Sequence, residues 1–153
     1  MQYTGDITLV MEFAELSDDN YGDKHGPNNG LTIEAVRSAL KAEALCCEDR
    51  LDAKVHVACG CDLMSDVLAF TKPGALLLTG LTNSQVIRTA ELLDLKCVIF
   101  VRDKMPDDDA IEMAKELGIP LLTSPYPLYE SCGMLYAMGL KGCMNGNSGK
   151  TDL

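Results

Sequence analysis

Short apolar runs alternate along this chain with segments in which apolar residues recur every three or four positions. Two of the runs, residues 75–79 and 119–123, end in a threonine and a turn, and a helical pattern begins within a few residues of each. Buried strands that alternate with amphipathic helices are typical of a parallel α/β sheet. Ligands of such sheets bind at the carboxyl ends of the strands, so we expect Thr79 and Thr123 near the rim of any site.

The same periodicity predicts a regular order of elements through the centre of the chain. The predicted helices cover residues 32–42, 62–70, 83–94, 107–117 and 127–138, and the predicted strands cover residues 44–47, 55–59, 75–79, 97–101 and 119–123. Positions suited to helix caps are Thr32, Asp62, Asn83 and Asp107 at N-termini and Gly118 at a C-terminus. Right-handed crossovers place helices on both faces of the sheet. We therefore predict a three-layer α/β/α fold with a mainly parallel sheet of about 4–5 strands.

The two ends of the chain differ from its centre. Residues 1–30 hold six acidic residues against one lysine, with a possible strand at residues 7–13 and then many turn residues, so we interpret them as an acidic extension and linker. Residues 31–142 are predicted to form the α/β domain. Residues 143–153 are mostly polar, and we predict a flexible tail there.

Composition narrows the classes of function. A length of 153 residues suits one domain with a substantial core. The formal net charge of −10, without clustered Lys and Arg, argues against nucleic-acid binding, which needs positive charge to meet phosphates. No apolar stretch is long enough to span a membrane and no secretory signal is visible, so we expect a cytoplasmic protein that does not bind membranes.

Seven cysteines raise the question of a metal or redox site. An odd number without a secretory signal favours free thiols in a reducing compartment, and most of these cysteines lie within apolar patterns. The chain has an adjacent pair and one C-x-C, whereas structural metal sites use paired C-x-x-C spacings. We predict buried thiols, no metal and no cofactor, and keep a metal or redox protein that uses Cys59 and Cys61 as a less favoured alternative. The cysteines are Cys46, Cys47, Cys59, Cys61, Cys97, Cys132 and Cys143.

Polar residues gather where the predicted strands end. Backbone amides, hydroxyls and helix N-termini that meet at one edge of a sheet favour a small anion such as a phosphate. Good caps and turns would use the same residue types for structure alone, so both interpretations stay open. The candidate ligand-binding residues are Cys61, Asp62, Thr79, Gly80, Thr82, Asn83, Arg102, Thr123, Ser124 and Tyr126.

Catalytic residues are not predicted. A nucleophilic triad needs a histidine placed as a base, but His25 lies in the linker and His56 lies within a predicted strand. The sequence Gly149-Lys150-Thr151 ends like a P-loop, yet Met144 stands where that motif needs its first glycine. We therefore expect a protein that is not an enzyme.

From about residue 31 to residue 142 the chain resembles the DRTGG domain family. The resemblance rests on Thr79-Gly80 after one strand, on the run Ile119-Pro120-Leu121-Leu122-Thr123-Ser124-Pro125-Tyr126, and on residues 59–67, which are similar to the Gly-Asp region of stand-alone members. The chain departs from the family's own motif at two places. Cys61-Asp62 follows Gly60 where the family has Asp-Arg, and Leu81 replaces the second glycine of Thr-Gly-Gly.

This resemblance implies a regulatory module. The family's fold is similar to the amino-terminal domain of HPr kinase/phosphorylase, which acts on the phosphocarrier protein of sugar transport and carries its P-loop in a separate domain. The module also accompanies phosphotransacetylases and CBS-containing pyrophosphatases, which implies a regulatory and often dimeric unit. Stand-alone members near hydrogenase or electron-transfer genes imply an association with anaerobic redox proteins.

Together these observations predict a non-catalytic regulatory domain that senses an adenine nucleotide or another small anion at the carboxyl ends of the strands. The alternative is a homodimeric module that docks a protein partner and binds no ligand. Its motivation is the apolar closing helix, which carries Leu128, Cys132, Leu135, Tyr136 and Met138 and must be buried in the core or against another chain.

Overall fold

A computed structural model describes residues 29–143 of the chain. The predicted strand at residues 7–13, nearly all of the predicted linker and all but the first residue of the predicted tail lie outside the described residues. The helices are α1 (Ile33–Ala39), α2 (Met64–Phe70), α3 (Ser84–Leu92), α4 (Asp108–Leu117) and α5 (Leu128–Ala137). The strands are β1 (Leu31–Thr32), β2 (Glu43–Cys46), β3 (Lys54–Val55), β4 (Val57–Gly60), β5 (Leu76–Thr79), β6 (Cys97–Phe100), β7 (Leu121–Thr123) and β8 (Lys141–Gly142).

One six-stranded sheet organises the domain. Its strand order is β2-β7-β6-β5-β4-β8, and β1 and β3 form a separate antiparallel pair. Every neighbouring pair in the large sheet is parallel except β2 with β7. The mainly parallel sheet is thus confirmed, but six strands replace the expected 4–5. The additional strand, β8, has two residues, which is too short to produce a hydrophobic pattern.

Helices cover both faces of this sheet, as the three-layer prediction requires. On one face, Leu77 and Phe100 pack with the buried sides of α2, α3 and α4. On the other face, Leu76, Leu78 and Ile99 pack with α1 and α5. Strands buried on both faces explain why β5 and β6 consist of continuous apolar residues instead of alternating ones.

Helix caps follow the sequence at three of the predicted positions. Thr32 accepts a hydrogen bond from the Ala35 N–H at 3.1 Å, and Asn83 accepts one from the Gln85 N–H at 3.1 Å. Gly118 ends α4 in the left-handed conformation, with φ 69°. The prediction that Asp62 caps α2 is wrong, because α2 begins one residue later than expected and Leu63 occupies the N-cap position. Asp107 precedes α4 but makes no capping hydrogen bond with its side chain.

The strand order predicts where a ligand crevice should open. The helices that follow β4, β5 and β6 all lie on one face of the sheet, whereas the helix that follows β7 lies on the other. The loops after β6 and β7 therefore leave in opposite directions, and open α/β sheets bind ligands at such a switch point. None of the helices in residues 29–143 is long and apolar enough to cross a membrane.

Candidate functional site

The crevice between β6 and β7 is closed by backbone hydrogen bonds. The Arg102 N–H donates to the Tyr126 carbonyl at 3.0 Å, and the Asp103 N–H donates to the Ser124 carbonyl at 2.8 Å. The Thr123 hydroxyl donates to the Lys104 carbonyl at 2.9 Å. These bonds join the two diverging loops at the point where a ligand would otherwise enter.

The buried Ser124 stabilises this closed crevice from the protein interior. Its side chain is fully buried, and the hydroxyl donates to the Leu40 carbonyl at 2.7 Å while accepting the Tyr126 N–H at 3.3 Å. The serine thus ties the end of β7 to the end of α1. Two of the predicted site residues on this side, Thr123 and Ser124, are buried structural groups and not rim groups.

The loop after β6 carries two consecutive residues in the left-handed conformation. Arg102 has φ 59° and Asp103 has φ 55°, and both are exposed. Residues with a Cβ adopt this conformation at a cost of roughly 1–2 kcal/mol each. Such strain persists only where surrounding contacts impose it, and it occurs preferentially at functional sites.

A second group of polar residues lies at the ends of β4 and β5. The Thr79 hydroxyl donates to Asp62 Oδ1 at 3.0 Å and accepts the Leu81 N–H at 3.1 Å. The Gly80 N–H donates to the same carboxylate oxygen at 2.7 Å. Both bonds reach Oδ1, so Oδ2 is left without a hydrogen-bond partner among residues 29–143. Asp62 is an exposed residue that orders the turn after β5.

Lys104 completes this group from the neighbouring loop. Its ammonium Nζ donates to the Gly80 carbonyl at 3.1 Å, so Asp62 and Lys104 hold the two sides of one peptide segment. A Cβ at Gly80 would lie 3.2 Å from the Lys104 Nζ and 3.5 Å from Asp62 Oδ2. Glycine at this position therefore lets an ammonium and a carboxylate approach the same turn.

Lys104 was absent from the residues that the sequence predicted. The signal for it was its place in the run Arg102-Asp103-Lys104, directly after an apolar strand. A four-carbon side chain can reach a neighbouring turn, but the sequence alone does not show which of three consecutive charged residues does so. The left-handed conformations of Arg102 and Asp103 turn the loop, and it is Lys104 that contacts the turn at Gly80.

The other predicted residues make local structural contacts. The Cys61 N–H donates to the Leu78 carbonyl at 3.0 Å, and its Sγ lies 3.5 Å from the Leu63 carbonyl oxygen. The Thr82 carbonyl accepts the Asp107 N–H at 3.0 Å, which links the turn after β5 to the start of α4. Asn83 caps α3. These three residues therefore shape the loops around Asp62, Gly80 and Lys104 through main-chain and side-chain contacts.

Within residues 29–143 the cysteines do not gather into a metal-binding group, and burial raises the thiol pKa of several of them. All seven are free, and no group of three metal-ligating side chains occurs within residues 29–143. Burial raises the pKa of the Cys59 and Cys132 thiols, and it raises that of Cys46 to about 11. A raised pKa keeps a thiol protonated at neutral pH and lowers its nucleophilicity.

Taken together, Asp62 and Lys104 present one carboxylate and one ammonium at the turn around Gly80, and the exposed Arg102 lies two residues before Lys104 on the neighbouring loop. Carboxylates accept hydrogen bonds from ligand hydroxyls, and Lys and Arg bind phosphate oxygens. Such a group can recognise a ligand that carries phosphates and hydroxyls.

Comparison with solved structures supports the same fold. The chain is similar to the CBS and DRTGG domains of the regulatory region of Clostridium perfringens pyrophosphatase, a structure complexed with the activator diadenosine tetraphosphate. The TM-score is 0.61 at 16% sequence identity, and the match covers 93% of this chain and 61% of that one. This chain therefore spans about three fifths of the length of that structure. No curated protein matches the sequence.

The family assignment rests on the sequence itself. The model of the DRTGG domain matches residues 35–138, which is more than half of the chain and includes the ends of β4, β5, β6 and β7. The specific likeness to HPr kinase/phosphorylase stays a prediction, whereas the family that the turn residues indicated is confirmed. The chain belongs to the DRTGG domain family.

Proposed function

We propose that this chain is a non-catalytic regulatory domain that binds an adenine nucleotide, or another small phosphate-bearing anion, beside the turn at Gly80. The observation that carries the proposal is the Lys104 ammonium, held 3.1 Å from the Gly80 carbonyl, on the same turn that Asp62 orders. The similar regulatory region of the Clostridium perfringens pyrophosphatase is complexed with a phosphate-rich adenine dinucleotide.

The charges in this group match the parts of a nucleotide. Lys104, with Arg102 on the same loop, supplies positive charge for phosphates, and Asp62 Oδ2, which has no hydrogen-bond partner within residues 29–143, can accept hydrogen bonds from ribose hydroxyls. The chain as a whole is acidic, with a formal net charge of −10, so local cations are needed to overcome the repulsion of an anion.

Thermal unfolding with and without nucleotide tests the proposal. A ligand that binds only the folded state raises stability by about 2.7 kcal/mol at a concentration of 100 Kd. For a domain of this size, that corresponds to a rise in Tm of roughly 5–10 °C. We expect such a rise with ATP or diadenosine tetraphosphate, and no rise with adenosine, which lacks phosphate.

A matched pair of variants separates specific binding from general charge effects. Lys104→Met should abolish the rise in Tm. Lys115→Met makes the same substitution on α4, at the opposite ends of the strands, and should retain the rise. Equal responses of both variants and the wild type would show that the ligand binds elsewhere. If no phosphate-bearing nucleotide raises the Tm of the wild-type protein, such nucleotides are excluded as its ligands.

A second candidate function, homodimeric partner docking, is favoured by the outer side of α5. Tyr129 and Tyr136 are 86% and 63% exposed, and they lie seven residues apart, on the same side of the helix. Exposed aromatic pairs of this kind are characteristic of interfaces. Light scattering after size-exclusion chromatography should give twice the monomer mass, and Tyr129→Lys should give the monomer mass. A monomeric wild-type protein would exclude this second function.

A further inference from the structure

Two cysteines lie side by side on the last two strands of the large sheet. β4 and β8 are parallel, and Ala58 is paired with Gly142. The same register, continued by one residue, places Cys143 beside Cys59. Both cysteines pack on the face of the sheet that α2, α3 and α4 cover.

The spacing of these two cysteines suits a disulfide bond. The Cys143 Sγ lies 3.6 Å from the carbonyl oxygen of Ala58, the residue directly before Cys59. Neighbouring strands of a sheet lie about 4.8 Å apart. Disulfides join residues whose Cα atoms are roughly 4.4–6.8 Å apart, so the pairing of β4 with β8 brings the two cysteines within this range.

The other cysteines near Cys59 are placed less favourably. Cys61 follows on the same strand, and two residues along a strand are separated by about 6.6 Å, near the upper limit for a disulfide. Its Sγ lies 3.5 Å from the Leu63 carbonyl oxygen, in the loop after β4. Cys132 packs on the opposite face of the sheet. Cys143 is therefore the partner that the fold offers to Cys59.

A buried hydroxyl group lies next to Cys59. Thr71 directly follows α2, and its Oγ1 has no hydrogen-bond partner within residues 29–143. Burial raises the pKa of the Cys59 thiol, the neighbouring Thr71 hydroxyl opposes that rise, and Cys143 adds a smaller one. A hydroxyl that donates a hydrogen bond to a thiolate stabilises it, and the thiolate is the form that makes disulfides.

From these contacts we propose that Cys59 and Cys143 form a reversible disulfide that fastens β8 to β4, with hydrogen peroxide as the oxidant. The Cys143 thiolate, on the edge strand, attacks one peroxide oxygen. The O–O bond breaks, and a sulfenic acid and water form. The Cys59 thiolate, positioned by Thr71, then attacks the sulfenic sulfur, the S–O bond breaks, and a second water leaves. Overall the two thiols lose two electrons and two protons, and the peroxide is reduced to water.

The disulfide would act on the weakest strand of the sheet. β8 has two residues, both exposed, and within residues 29–143 it pairs only with β4. A short, exposed edge strand opens at little cost in free energy. A covalent bond to β4 removes this opening, so the redox state of the two cysteines would set the mobility of the sheet edge.

Peroxide treatment of the reduced full chain tests the proposal. Free thiols are alkylated after the reaction, and mass spectrometry of the digested protein identifies linked peptides. We expect one peptide pair that joins Cys59 to Cys143, and we expect dithiothreitol to separate it. Cys143→Ser should abolish the pair. Cys61→Ser, the matched change two residues from Cys59, should retain it.

Three results would contradict this assignment. A link to Cys59 that persists in Cys143→Ser would overturn it, because Cys59 would then pair with another thiol. Oxidation of Cys143 to a sulfinic or sulfonic acid, without a link to Cys59, would also overturn it. So would links found only between two copies of the chain, which appear at twice the monomer mass in electrophoresis without reductant.

The role of Thr71 is tested by the rate of disulfide formation. Thr71→Val keeps the shape of the side chain and removes the hydroxyl, so the rate at neutral pH should fall about fivefold, the effect of one hydrogen bond. The pH dependence of the rate should move to higher pH. Thr71→Ser should restore both. An unchanged rate and pH profile in Thr71→Val would overturn the positioning role.

Hydrogen exchange measures the effect on the sheet edge. In the oxidised wild-type protein, the amides of residues 141–143 should exchange about tenfold or more slowly than in the reduced protein. Peroxide-treated Cys143→Ser should show no such slowing. Equal exchange in the oxidised and reduced wild-type forms would contradict the fastening of β8.

Discussion

The turns at Thr79 and Thr123 look alike in sequence and differ in structure. Each threonine ends a buried parallel strand, and each hydroxyl is satisfied inside the protein. The Thr123 hydroxyl donates to a backbone carbonyl, and the buried Ser124 that follows closes the crevice between β6 and β7. The Thr79 hydroxyl instead donates to the side chain of Asp62, beside the exposed Lys104.

This difference shows how one local motif serves two purposes. At Thr123 the polar groups form hydrogen bonds within the protein that hold two diverging loops together. At Thr79 they orient a carboxylate and leave an ammonium at the surface. The switch point of the sheet is therefore closed by structural contacts, and we propose that the ligand binds one strand further along, at Gly80.

The largest expected effect on stability is at the closed turn. Ser124→Ala leaves the Leu40 carbonyl without its buried donor, so the free energy of unfolding should fall by roughly 1–3 kcal/mol. Urea denaturation measures this loss, and the exposed Ser38→Ala serves as the control, with a change within about 0.5 kcal/mol. A loss at Ser124 no larger than that of the control would show that the closure contributes little.

The two threonines themselves should differ when each is replaced by valine. Thr79→Val removes the donor to Asp62 and the acceptor of the Leu81 N–H, and it should cost about 1–2 kcal/mol. Thr123→Val removes one partly buried hydrogen bond, the one to the Lys104 carbonyl, and it should cost less than about 1 kcal/mol. Equal losses in urea denaturation would contradict the distinction between the turns.

Relief of backbone strain should act in the opposite direction. Arg102→Gly removes the Cβ from a residue with φ 59°, so the free energy of unfolding should rise by up to about 1 kcal/mol. As a control, Lys115→Gly within the helix α4 should lower it by about 1 kcal/mol. If Arg102→Gly also destabilises, the left-handed conformation is not a source of strain.

The smallest expected effect on stability is at Lys104. Its side chain is exposed, so Lys104→Met should change the free energy of unfolding by less than about 0.5 kcal/mol while it removes the response to nucleotides. Calorimetric titration with ATP compares the binding of this variant with that of the wild-type protein. Unchanged affinity in a stable Lys104→Met protein would place the ligand away from Gly80.

Much of the fold could be predicted because its strands are buried on both faces. Continuous apolar runs such as Leu76-Leu77-Leu78 and Val98-Ile99-Phe100 have few alternatives to a central parallel strand. The short strands β1 and β8 could not be predicted, because two residues carry no periodicity. Asp62 was misassigned as a cap because its carboxylate binds Gly80, eighteen residues away, and such a contact has no local signal.

The general location of the candidate site could be predicted from the sequence, but its individual contacts could not. Strand ends give its location, since topology brings them to one edge. Some polar groups form hydrogen bonds within the protein and others stay available to a ligand. This depends on distances that the sequence does not contain, such as the one between Ser124 Oγ and the Leu40 carbonyl. The sequence therefore predicts candidate residues on both sides, at Thr79 and Thr123 alike, whereas the exposed charged groups favour the Gly80 side.

A nuclear magnetic resonance titration of the ¹⁵N-labelled chain with ATP distinguishes a ligand site at Gly80 from one at the closed crevice. We expect saturable shifts of the amide resonances of Gly80, Leu81 and Lys104, with Ser124 and Tyr126 nearly unchanged. The largest shifts at Ser124 and Tyr126, with Gly80 unaffected, would contradict the account, because the closed crevice would then be the ligand site.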